Sequence, residues 1–126
     1  MKKYEQKIKK YLKERNWLNL KPADLAKCVS IESAELLEIF QWDNLELEEI
    51  KKDKEVVEAI KKELADVMIY CLNMSVILNL DTGKIILDKL KKAEEKYPAH
   101  IFKKNNKKSQ ETYWKIKKEY RRKGKN

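Results

Sequence analysis

Residues 54–79 read KEVVEAIKKELADVMIYCLNMSVILN, and this stretch decides the fold. Ile60, Leu64, Val67, Cys71, Met74 and Leu78 recur at alternating spacings of four and three, the period of an amphipathic α-helix. Between Val67 and Leu72 the pattern becomes apolar on every side, which asks for burial on more than one face. In so short a chain that requirement points to a partner subunit. The same six residues are the longest unbroken apolar run, far below the twenty or so that a membrane-spanning helix needs.

Outward from this helix the other elements follow by the same reading. Towards the N-terminus, Pro22 opens a helix over about Pro22–Phe40, carrying Leu25, Val29, Leu36, Ile39 and Phe40. Before it, Tyr4, Ile8, Tyr11 and Leu12 mark a helix over about Tyr4–Arg15. Asp43–Asp53 is acidic and irregular, and is expected to be a loop with one short turn. Beyond the long helix, Asp81-Thr82-Gly83 reads as a turn, followed by a helix over about Lys84–Lys96 that Pro98 stops. Only two glycines and two prolines occur in 126 residues, and 40% of the residues are charged, so sandwiches, barrels and linker-like chains are excluded. The expectation is an all-α, four-helix-bundle-like domain, oligomeric through its long central helix.

Charge is unevenly placed. Residues 1–102 carry 19 Lys/Arg and 19 Asp/Glu, whereas 103–126 carry 11 Lys/Arg against Glu111 and Glu119, so the net +9 belongs to the C-terminal stretch. This divides the chain into a domain over 1–102 and a basic tail over 103–126. In the tail, Tyr113, Trp114, Ile116 and Tyr120 suit a short amphipathic helix. Cys28 and Cys71 stand without a C-x-x-C or a nearby histidine and read as reduced thiols. The N-terminal MKKYEQKIKK lacks the apolar core of a signal peptide. A cytoplasmic protein without a membrane partner is expected.

Two carboxylate pairs carry the chemistry. Glu32 and Glu35 are three apart in the second helix, and Glu63 and Asp66 are three apart in the long one, so each pair can aim at one point. Four carboxylates at close quarters cannot all stay ionised without a cation, and Mg²⁺, a hard ion that also bridges to phosphate, answers that need. Glu35/Glu38, Glu46/Glu49 and Glu55/Glu58 match the same spacing, however, so spacing alone leaves a metal site and a solvated face as equal alternatives. A di-iron bundle would want Glu-x-x-His, and the only histidine, His100, has Tyr97 three residues before it. No G-x-S-x-G or glycine-rich phosphate loop is present.

Four words occur in order: ERNW (Glu14–Trp17), ESAELLEIFQW (Glu32–Trp42), ELADVMIY (Glu63–Tyr70) and KLKKAEEKYP (Lys89–Pro98). Together they closely resemble the MazG-like all-α nucleoside triphosphate pyrophosphohydrolases, above all the short dCTP-pyrophosphatase-type members. The resemblance covers roughly residues 10–100. It implies Glu32, Glu35, Glu63 and Asp66 as ligands of Mg²⁺, with Mn²⁺ as a substitute. It also implies a catalytic role for Glu35, base-binding roles for Trp17, Trp42 and Tyr70, and phosphate-binding roles for Lys89 and Lys96. Glu38, one further turn along from Glu35, is either a catalytic residue that orients or deprotonates the water or a surface residue. The implied reaction is hydrolysis of a nucleoside triphosphate, in all expectation a deoxynucleotide, to monophosphate and pyrophosphate by a homodimer or homotetramer. The sequence departs from the pattern in two places. Leu18–Pro22 lacks the phenylalanine-histidine pair of the short members, and Ala93 stands where asparagine is common. The competing class is a non-catalytic helical oligomer that holds nucleic acid through its basic tail.

Overall fold

In the computed structural model, which describes residues 1–102 and 107–125, the chain forms six α-helices and one 3₁₀ turn, with no strand among the described residues. Two compact units result, Met1–Thr82 and Gly83–Asn126. Of the basic stretch 103–126, residues 103–106 and 126 lie outside the described residues. The division expected after residue 102 falls within the second unit.

The first unit is built on the long helix. α1 (Lys2–Glu14), α2 (Pro22–Glu38) and the short α3 (Leu47–Lys52) all pack against α4 (Lys54–Ile77). Pro22 occupies the first turn of α2, where its missing N–H loses nothing. The acidic 43–53 segment, expected as a loop with one turn, holds the six-residue α3. A reciprocal cap explains it: the Glu46 side chain takes the backbone N–H of Glu49, and the Glu46 N–H donates to Glu49 Oε2 at 2.8 Å. Asp53 then starts α4 by accepting from the N–H groups of Glu55 and Val56, both at 3.1 Å.

Two asparagines turn the chain at helix ends. Asn16 (φ 58°) follows α1 and Asn79 (φ 53°) follows α4, both left-handed. After α1, Trp17 N–H returns to Leu12 O at 2.9 Å and Asn16 N–H to Lys13 O at 3.1 Å; after α4, Leu80 N–H returns to Ser75 O and Asn79 N–H to Val76 O. Both are Schellman closures, and asparagine is the side chain that tolerates this conformation best after glycine.

Helix α5 (Thr82–Lys96) begins at Thr82, two residues earlier than the sequence suggests, and the reason is tertiary. Thr82 N–H donates to Glu5 Oε1 at 2.8 Å, and the Thr82 and Ser75 hydroxyls are hydrogen-bonded to each other. Glu5 is 77 residues away in sequence, so no local signal could announce this cap.

In the second unit, α5 is followed by the 3₁₀ turn Ala99–Phe102 and by α6 (Lys107–Arg122), a longer helix than the tail's composition suggests. Tyr97 stacks on Tyr113 with ring centroids 4.9 Å apart and meets the edge of Phe102 at 6.1 Å. This aromatic cluster ties α6 to the end of α5.

Buried apolar side chains are few. Among the described residues they are Leu12, Leu25 and Val76, while Ile31 and Leu37 of α2 and Leu64, Met68 and Ile69 of α4 are exposed. Among the described residues no single helix is long and apolar enough to cross a membrane.

Candidate active site

Helices α2 and α4 run antiparallel, as their facing side chains show. Cys28 meets Tyr70, Glu32 meets Asp66, and Glu35 meets Glu63, so position falls along α4 as it rises along α2. This register makes one site of two carboxylate pairs. Oxygen atoms of Glu32, Glu63 and Asp66 all lie within 4.8 Å of one another, each half-buried. Glu35 lies within hydrogen-bonding reach of Glu32 and Glu63. The negative charge of Glu32 raises the Glu35 carboxyl above the ordinary value, and burial and Glu63 add to the effect.

The cluster fits a divalent cation on its own terms. Glu63 keeps only 14% of its side chain exposed, and although Lys62 Nζ lies 3.4 Å from Oε1, its Oε2 is buried and accepts no hydrogen bond. A buried carboxylate oxygen without a partner is costly. All the donors are hard carboxylate oxygens, the set that Mg²⁺, Mn²⁺ or Ca²⁺ prefers.

A cavity of about 640 Å³ opens beside the cluster, with Asp66 in its wall. The Schellman turn at Asn16 brings Trp17 to this cavity, where Tyr11 meets it edge-on with centroids 6.0 Å apart. Tyr70 lines it from α4. Its hydroxyl is raised above the ordinary tyrosine value, chiefly by burial and then by Cys28 and Glu32. An acidic centre thus adjoins an aromatic slot.

A model of the MazG-like family matches residues 27–112, a span that includes all four carboxylates. The chain belongs to the MazG-like family. Among similar proteins, this MazG-like chain is 30% identical over 91 residues to dCTP pyrophosphatase 1 of Rattus norvegicus and, equally, to that of Mus musculus. Each match covers 70% of the chain but 53% of the relative, so the chain spans about half the length of these mammalian proteins. Among solved structures, a pyrophosphatase from Archaeoglobus fulgidus superposes with a TM-score of 0.67 at 34% identity, covering 78% of this chain and 92% of that one.

Not every residue implied by the MazG-like resemblance converges. Glu32, Glu35, Glu63 and Asp66 do, and Trp17 and Tyr70 share the adjoining cavity. Trp42 does not join Trp17: it follows the end of α2 and is 86% exposed. Glu38 is exposed and lies outside the acidic cluster, because six residues beyond Glu32 it stands about 120° round the helix, on the side of Ala34 and Leu37. Lys89 and Lys96 belong to the second unit, where they line a cleft of about 540 Å³ with Lys117 and Arg121 of α6. Lys96 Nζ sits 4.8 Å from the Tyr120 ring centroid, a cation–π contact. Asp24, Cys28 and Asn73, none of them implied by the resemblance, also line the cavity wall. Their signal was available: Cys28 is four residues before Glu32, and Asn73 is seven after Asp66, on the ligand-bearing faces.

Proposed function

We propose that this protein hydrolyses nucleoside triphosphates to nucleoside monophosphate and pyrophosphate with Mg²⁺ as cofactor and Mn²⁺ as a substitute. The observation that carries the reading is the juxtaposition of four carboxylates with an aromatic-lined cavity. Glu32, Glu35, Glu63 and Asp66 would hold the cation. Bound there, Mg²⁺ supplies neutralisation of the phosphate oxygens and acidification of the attacking water. Glu35 is the candidate base, and it takes the proton of the water that attacks the α-phosphorus. The α-phosphorus then gains the water oxygen and loses the bridging oxygen, and pyrophosphate departs. Trp17 and Tyr70 hold the base of the nucleotide. Deoxynucleotides, dCTP first, are the substrates to test, since the mammalian relatives are dCTP pyrophosphatases. The role would be clearing of the cytoplasmic nucleotide pool.

A homodimer or dimer of dimers accompanies this reading. Three buried apolar side chains among the described residues are a thin core, and the exposed Leu64 and Met68 of α4 offer a second copy a face that the first unit leaves uncovered.

The assay is purified protein with Mg²⁺ against standard and modified NTPs and dNTPs, with products separated by ion-exchange chromatography. Monophosphate with pyrophosphate, lost in Glu35→Gln while the circular dichroism spectrum is kept, supports the reading. Diphosphate with phosphate overturns it. A second reading, nucleic-acid binding through the tail, is favoured by the α5/α6 cleft, where Lys89, Lys92, Lys96, Lys117, Arg121 and Lys125 face one carboxylate, Glu95.

A further inference from the structure

The stretch from Val67 to Ile77 of α4 is mostly apolar, and two of its polar side chains are buried, Asn73 and Ser75. Ser75 is accounted for by its bond to Thr82. Asn73 is not. It is 5% exposed, and its Oδ1 is buried without a hydrogen-bond partner. A buried amide oxygen left unpaired works against folding, and its persistence asks for a ligand. Asn73 stands three residues after Tyr70 and seven after Asp66, hence on the same helix face, and it lines the cavity that Trp17 and Tyr70 also line.

We infer that Asn73 determines base specificity by hydrogen-bonding a nucleobase that carries an exocyclic amine beside a ring nitrogen, as cytosine and adenine do. This rests on the nucleotide reading of the cavity given above. The amide oxygen accepts from the amine, and the amide nitrogen donates to the neighbouring ring nitrogen, so that both halves of the side chain are used. The terminal torsion of asparagine is a broad, roughly two-fold rotor, so turning the amide presents either edge to the cavity. A site built around such a hydrogen bond rejects an analogue that lacks the partner group, because the protein group is then left unpaired again.

The test compares kcat/KM for dCTP and dATP with that for the matching 2-pyrimidinone and purine deoxynucleoside triphosphates, which lack the amine. The wild type is expected to prefer one amine-bearing base over its amine-free partner by about tenfold or more. Which pair shows it distinguishes pyrimidine from purine. In Asn73→Leu the ratio falls to about one, with a melting temperature no lower than wild type, since the unpaired amide is gone. Asn73→Ala repeats the comparison if leucine does not fit. Calorimetric binding of dCMP and dAMP against the 2-pyrimidinone and purine deoxynucleoside monophosphates reads the same contrast without turnover. A wild type that shows the binding preference but no hydrolysis overturns the proposed activity and keeps the role of Asn73. Absence of preference in the wild type, its survival in both variants, or a preference for keto bases lost on substitution, overturns that role.

Discussion

Replacing Glu63 by glutamine tests the carboxylate centre through stability rather than turnover. In the absence of a cation, Glu63 faces Glu32 and Asp66 with oxygen atoms within 4.8 Å. Two unit charges at that separation repel by about 3.5 kcal/mol at an effective dielectric of about 20. Solvent at the half-buried cluster and the Lys62 ammonium, 3.4 Å from Glu63 Oε1, reduce this to a net gain of about 1–2 kcal/mol on removing the charge. Glutamine keeps the shape and can donate to a neighbouring carboxylate. For a chain of this size each kcal/mol moves the midpoint by about 3–6 °C, so Glu63→Gln should melt about 5 °C above the wild type in EDTA. In Mg²⁺ the order narrows or reverses. The wild type gains about 2.7 kcal/mol when the free cation is about 100 times its dissociation constant, whereas the variant has lost a ligand. Differential scanning fluorimetry in EDTA and across a Mg²⁺ titration reads both effects. A variant that melts below the wild type in EDTA, or a wild-type midpoint that Mg²⁺ does not move, refutes the argument.

Three further outcomes are expected. Asn16→Ala should destabilise the protein by about 1 kcal/mol in urea melts, because alanine is strained in the left-handed turn that brings Trp17 to the cavity; Asn16→Gly should be near neutral, and equal effects would remove that explanation. Glu5 is held below the ordinary glutamate value of 4.5 by hydrogen bonds from the Thr82 hydroxyl and backbone N–H. Its contribution to stability is therefore fully present above the ordinary value and fades as pH falls through the lowered one. Urea melts from pH 7 to pH 3 should show a steeper acid loss for the wild type than for Glu5→Gln. Finally, if the α5/α6 cleft holds nucleic acid, fluorescence anisotropy with a labelled oligonucleotide should show binding that weakens steeply with salt, and Lys117→Glu with Arg121→Glu should abolish it. Binding indifferent to salt would argue against the cleft.

The carboxylates show where the sequence was legible and where it was not. Glu46/Glu49 and Glu32/Glu35 have the same spacing, yet one caps α3 and the other enters the acidic cluster. Spacing places two side chains on a face of one helix; it says nothing of which helix that face will meet. The basic tail is similar. Its helix could be read from Tyr113, Trp114 and Tyr120, but the stacking of Tyr113 on Tyr97, which ties it to the end of α5, could not.

By itself, then, the sequence determined the helices, their apolar faces and the candidate ligands, because a period of 3.6 residues and a three-residue separation are local properties of the chain. Tertiary structure alone decided the rest. The antiparallel register of α2 on α4 brings Glu32 to Asp66 and Glu35 to Glu63. The left-handed turn at Asn16 sends Trp17 to the cavity while Trp42 stays on the surface. The Asn73 amide oxygen is left unpaired in the wall of that cavity. Each depends on contacts between residues distant along the chain, whose free energy arises only when the helices pack.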